Sequence, residues 1–108
     1  MKHLAISLAV LVLVWAGDAK AYTSGNLMFQ TCTQSQHSVD KAECISWVMG
    51  AMEMMIFSNK ELFACWRSTS GFQARDILIN YMKNNPQNRH ESTVKLLVLA
   101  MNKAIPCF

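Results

Sequence analysis

Four cysteines, Cys32, Cys44, Cys65 and Cys107, set the tightest limit on how this chain can fold, because all of them lie beyond an N-terminal segment laid out for export. That segment carries Lys2 and His3, an apolar run from Leu4 to Trp15, and the small-residue triplet Ala19-Lys20-Ala21. A charged start, an apolar middle and an A-x-A site are the three parts of a cleavable secretion signal. The apolar run is shorter than the ~20 residues that a membrane-spanning helix needs. Cleavage after Ala21 is therefore expected, leaving residues 22–108 as one domain without further membrane contact. Outside the cytoplasm, an even number of cysteines in a short chain reads as two disulfides. The bridges matter here because a short chain buries a smaller share of its surface than a long one, and its core alone is marginal.

Charge excludes one class of partner. The full chain has a net charge of +3, and Lys2, Lys20 and Asp18 leave with the signal, so about +2 remains, with no basic block. Nucleic acid is not implied. A metal is not implied either: there is no C-x-x-C, and His37 and His90 are not spaced with the cysteines as zinc ligands are.

Hydrophobic spacing predicts helices throughout and no period-two strand. Leu27, Met28 and Cys32 mark a first helix from Ser24 to Gln34, capped by Thr23 or Ser24. After a polar turn, Asp40 and Glu43 form a capping-box-like pair that opens a second helix, from about Lys41 to Ser58. This helix is apolar nearly all round, which predicts a central place in a bundle. Its interruptions, Ser46, Gly50 and Glu53, share one narrow stripe, and Gly50 suggests close approach of a neighbouring helix. The segment holding Leu62, Phe63, Cys65 and Trp66 reads as a loose connection. A third helix is expected from Phe72 to Lys83, with Ala74, Ile77, Leu78, Tyr81 and Met82 inward, stopped by Asn84-Asn85-Pro86. Asn88 and Glu91 are then placed to cap a fourth, with Val94, Leu97, Val98, Met101 and Ala104 inward. The fold class expected is all-α: a compact antiparallel four-helix bundle stapled by two disulfides.

Four cysteines allow three pairings. Cys32 closes the first helix and Cys44 opens the second, so an antiparallel hairpin brings their Cα atoms within the ~7 Å that a bridge requires. Cys65 then meets Cys107.

The chemistry inventory points away from an enzyme. With every sulfur oxidised there is no cysteine nucleophile, and H-E-x-x-H, G-x-S-x-G and Gly-rich phosphate loops are absent from the sequence. His90 beside Glu91 is better explained by capping and solvation than by acid–base work. No catalytic residue and no cofactor is expected. The eight methionines are compatible with an adaptable binding surface, but helical spacing places most of those beyond the signal in the core.

The ordered set Gly25-Asn26-Leu27, Cys32, Cys44-Ile45-Ser46-Trp47-Val48-Met49-Gly50, Cys65, Phe72-Gln73, Tyr81-Met82-Lys83-Asn84-Asn85-Pro86 and Ile105-Pro106-Cys107 resembles the Rap/Tai immunity proteins of type VI secretion systems. The resemblance covers nearly all of the chain beyond the signal. It departs from the family after Cys65, where Trp66-Arg67-Ser68 replaces a proline-containing turn. It implies a periplasmic inhibitor without catalysis, whose partner is a cell-wall amidase effector delivered by neighbouring cells. The contact surface is then expected among Asn85, Gln87, Asn88, Arg89 and His90, with Trp66 and Arg67 as a second candidate, and a homodimer is a further expectation. A different class fits the same outline: a periplasmic acid-stress chaperone resembling HdeA, which would expose apolar surface only below the carboxylate pKa range.

Overall fold

The computed structural model describes residues 23–34 and 37–107, and the expected signal lies outside them. Among these residues five α-helices follow one another: α1 (Gly25–Thr33), α2 (Ser38–Ser58), α3 (Lys60–Trp66), α4 (Gly71–Asn84) and α5 (Thr93–Ala104), with a 3-10 turn at Pro86–Asn88. Among the described residues there is no strand, only an isolated antiparallel bridge between Ser24 and Ser92. The all-α class and both bridges are as expected: Cys32 joins Cys44 with Cα atoms 5.3 Å apart, and Cys65 joins Cys107 at 5.8 Å. The helix over Lys60–Trp66 is additional to the four expected.

Side chains at the helix starts explain most of the boundaries. Ser24 accepts from the Leu27 amide. Asn59 ends α2 and starts α3, its Oδ1 accepting from Glu61 and Leu62, so one residue separates the two helices. Ser70 and Gln73 form a reciprocal capping box at 3.1 and 3.0 Å. Two expected caps are replaced. α2 begins at Ser38, with His37 at its cap and no side-chain cap bond, so Asp40 lies inside the first turn, where its charge suits the helix dipole. α5 is capped by Ser92, which accepts from Lys95, and not by Asn88.

The later start also turns α5. Thr93, Leu96, Leu97, Ala100 and Met101 are its buried residues, whereas Val94 and Ala104 are exposed. A long-range contact decides this: the Thr93 hydroxyl and amide both donate to the Thr23 carbonyl, at 2.7 and 2.8 Å. A threonine held by two hydrogen bonds fixes the helix phase more tightly than hydrophobic spacing does.

The centre of the molecule is α4, not α2. α4 packs against α1, α2 and α5, and its stripe of Ala74, Leu78 and Met82 is fully buried, with Ile77 and Tyr81 half-buried beside it. It meets Val48 and Met52 from α2, Trp66 from α3, and Leu96, Leu97 and Met101 from α5. α2 sends only Cys44, Val48 and Met52 fully inside, and its remaining apolar residues are half-buried or exposed. Gly50 is on the outside, with nothing within 4 Å of where a Cβ would stand, so no helix among the described residues approaches it. Close approach occurs instead at Gly71, where a Cβ would collide with the Met49 side chain. That contact joins α2 to the start of α4.

Leu78→Ala should lower stability by about 2–5 kcal/mol, because it opens a cavity where nothing can collapse inward. Ser46→Ala on the exposed side should stay within about 0.5 kcal/mol. Urea unfolding followed by circular dichroism checks both, and equal midpoints would contradict the assignment of α4 to the centre.

Candidate functional site

The expected contact residues fall on the connection between α4 and α5, and they are held there by backbone. Asn85 ends α4, its Nδ2 donating to the Tyr81 carbonyl at 2.8 Å. The following turn closes on itself through Asn88 to Asn85, Arg89 to Pro86 and Glu91 to Asn88 backbone bonds. Pro86 begins this turn, where its lack of an amide hydrogen costs nothing. The start of the described chain then ties the segment down from the other side. The Gly25 amide donates to the Glu91 carbonyl at 2.8 Å, and the Asn26 amide donates to the Arg89 carbonyl at 2.7 Å. Gly25 permits this approach, since a Cβ there would stand 2.7 Å from the Arg89 carbonyl oxygen and 2.3 Å from Leu96.

Arg89 is the clasp of this arrangement. Its Nε donates to the Met82 carbonyl at 3.0 Å, at the end of α4, while its guanidinium lies 4.0 Å over the ring of Phe29 in α1. Three elements meet on one side chain. Gln87 and His90 project outward, and His90 is held by Nδ1 against the Gln87 carbonyl at 3.0 Å. His90 Nε2 lies 3.6 Å from a Glu91 oxygen that also pairs with Lys95 at 3.3 Å. These are surface pairs that orient the turn and add little energy. The result is an ordered platform whose free faces are Pro86, Gln87 and His90, with Asn85, Asn88 and Arg89 partly built into the frame.

Trp66, a residue of the second candidate, cannot meet a partner as expected. It is fully buried, and its indole Nε1 donates to the Ile105 carbonyl at 3.0 Å, next to the Cys65–Cys107 bridge. The cause is the α3 helix: successive residues are turned by about 100°, so Trp66 faces the core while Arg67 faces out. Arg67 remains at the surface, beside an open groove of about 370 Å³ lined by Met54, Ile56, Phe57 and Phe63. Sequence reasoning missed these apolar residues because most methionines were expected inside. Met28, Met52, Met82 and Met101 are inside, but Met54 and Phe57 are 70 % and 90 % exposed. The available signal was the surplus: α2 carries more apolar residues than one inward stripe can use.

Among the described residues no group of acidic, histidine and cysteine side chains is arranged to hold a metal, and no cysteine is free. No helix of the described residues is long and apolar enough to cross a membrane. The geometry offers surfaces for contact. Arg89→Ala should therefore destabilise the fold by about 1–3 kcal/mol through loss of the ring contact and the carbonyl bond. Gly25→Ala should also destabilise it, by collision. Thermal melts of each beside Gln87→Ala, expected to be neutral, test whether this turn is a frame or a loose loop.

No curated protein and no solved structure matches the chain. A family model described as Rap1a immunity proteins matches residues 23–107, a span that begins at the residue whose carbonyl anchors Thr93 and ends at the last bridged cysteine. The chain belongs to the Rap1a immunity protein family.

Proposed function

We propose that this chain is a periplasmic immunity protein that binds a peptidoglycan-degrading amidase effector and blocks it, without performing catalysis itself. The match to the immunity family across residues 23–107 carries this reading. The two bridges agree with it, since disulfides persist in an oxidising compartment such as the periplasm. So does the signal-like segment ending at Ala21, which supplies the route there.

Inhibition by binding asks for a surface already in its bound shape, because ordering mobile side chains on association weakens affinity. The platform between α4 and α5 has that character. Gln87 and His90 are its contact groups, Asn85 and Asn88 supply amides at its edge, and Arg89 holds it in place. Arg67, on the other candidate surface, keeps its guanidinium exposed beside apolar groups. Arginine in such a setting is a frequent source of binding energy in protein interfaces.

The test is protection. Cells that export the cognate amidase to the periplasm should survive when they carry the full chain and lyse when residues 1–21 are deleted. N-terminal sequencing of the exported protein should begin at Tyr22. In calorimetry, joint substitution Gln87→Ala and His90→Ala should weaken amidase binding roughly tenfold or more, with the melting temperature unchanged. Absence of binding by the wild-type protein to an amidase encoded beside it would reject the reading. Unchanged affinity in the double variant would move the contact to Arg67 and its neighbours.

A further inference from the structure

Asn85 belongs to two surfaces. It precedes the platform of Gln87 and His90, and it also lines a cleft of about 180 Å³ between α4 and the end of α5. Ile77, Ala100 and Ala104 give the cleft apolar walls, while Asn80, Tyr81 and Lys103 give it polar ones. These polar groups are donors with little else to do. Asn84 Nδ2 donates to Asn80 Oδ1 at 3.4 Å, which occupies the Asn80 oxygen and leaves its NH2 open. Among the described residues Lys103 has no ion pair and the Tyr81 hydroxyl no hydrogen bond, and since no buried polar side-chain atom there lacks a partner, that hydroxyl reaches water. No carboxylate lines the cleft. From Gly71 onward the chain carries five basic and two acidic residues. Both acids are already matched, Asp76 by Arg75 at 3.0 Å and Glu91 by Lys95 at 3.3 Å.

We propose that this cleft receives an acidic side chain of the effector, its carboxylate met by Lys103 with Asn80 and Tyr81 as neutral donors, and its methylene stem held between Ile77 and Ala104. The inference rests on the immunity reading and adds the chemistry of one contact. An ammonium beside open amide and hydroxyl donors is suited to a carboxylate, because hydrogen bonds to an ionised acceptor are the stronger kind. Volume selects a protein side chain over a free small molecule, whose sites span roughly 300–1,000 Å³. Position agrees, since Asn85 joins the cleft to the platform and one partner can cover both. A side chain that fills a pocket at the edge of such a surface is the usual form of an energetic anchor.

Two measurements on the oxidised, signal-free protein test it. In calorimetry with the cognate amidase, Lys103→Glu should weaken binding roughly tenfold or more, because it sets like charges together in the cleft. Lys83→Glu is the matched control: Lys83 also lies in the last turn of its helix, but it is exposed and does not line the cleft. Its change should alter affinity by less than about threefold. Ala104→Phe, at an exposed position, fills the cleft without changing charge and should weaken binding as Lys103→Glu does. Thermal melts check that all three variants are folded. Equal losses in the two charge variants would make the effect a general field and overturn the cleft, as would unchanged affinity in Lys103→Glu or Ala104→Phe. In an NMR titration, millimolar N-acetylglutamate should shift the Asn80 side-chain amide and the Ala104 backbone amide, and N-acetylglutamine, of the same shape without the charge, should not. A wild type that does not bind the amidase would defeat the immunity reading, and the titration then decides the cleft by itself: no shift, or equal shifts with both compounds, overturns it, whereas a shift with the acid alone upholds it as a carboxylate site.

Discussion

The burial of the α4 stripe, Ala74, Leu78 and Met82, is the constraint on which the other helices depend. A small residue, a medium one and a long one in successive turns give α4 a tapering surface. Val48 and Met52 fit against it from one side, and Leu97 and Met101 from another. Because α4 is covered by α1, α2 and α5, no other helix needs to be buried all round. Most of the hydrophobic stabilisation therefore comes from contacts with one helix, and the faces turned away from it are left open to other uses.

Around that centre, two long-range ties set the details. Trp66 and the Cys65–Cys107 bridge attach the end of α3 to the tail at Ile105, the indole hydrogen bond lying beside the covalent link. Thr23, Gly25 and Asn26 attach the start of α1 to the α4–α5 connection. Each tie spans dozens of residues in sequence, and each converts a connecting segment into ordered structure. This is why the platform residues do not behave as a solvated loop.

These ties also separate what was legible in the sequence from what was not. The helix over Gly71–Asn84, its inner face and its asparagine-proline stop could be read directly, because spacing, cap and breaker all agree there. The hairpin joining Cys32 to Cys44 followed from two cysteines at facing helix ends. The phase of α5 was not legible, because Thr93 looks like a surface residue until its partner Thr23 is known. α3 is too short to show a period, and its first-turn partner is a side chain, Asn59, that reads equally well as a simple stop. The burial of Trp66 depends on a carbonyl near the other end of the chain, which no local pattern encodes. For α2 the pattern was seen but its meaning was inverted: apolar character on every side marked a helix with an unused face, not a helix at the centre.

Fastening at both ends has a consequence for how long such a molecule lasts. Fraying of terminal residues is the usual way a folded chain first offers itself to a protease. Here the Thr23 carbonyl accepts two hydrogen bonds from Thr93, the Gly25 and Asn26 amides add two more, and Cys107 is covalently joined to Cys65. Nibbling from either edge of the described domain meets a secured segment, so turnover has to begin with an internal cut or with opening of the whole bundle. For a member of an immunity protein family, whose task is to be present before it is needed, such slow decay is an advantage.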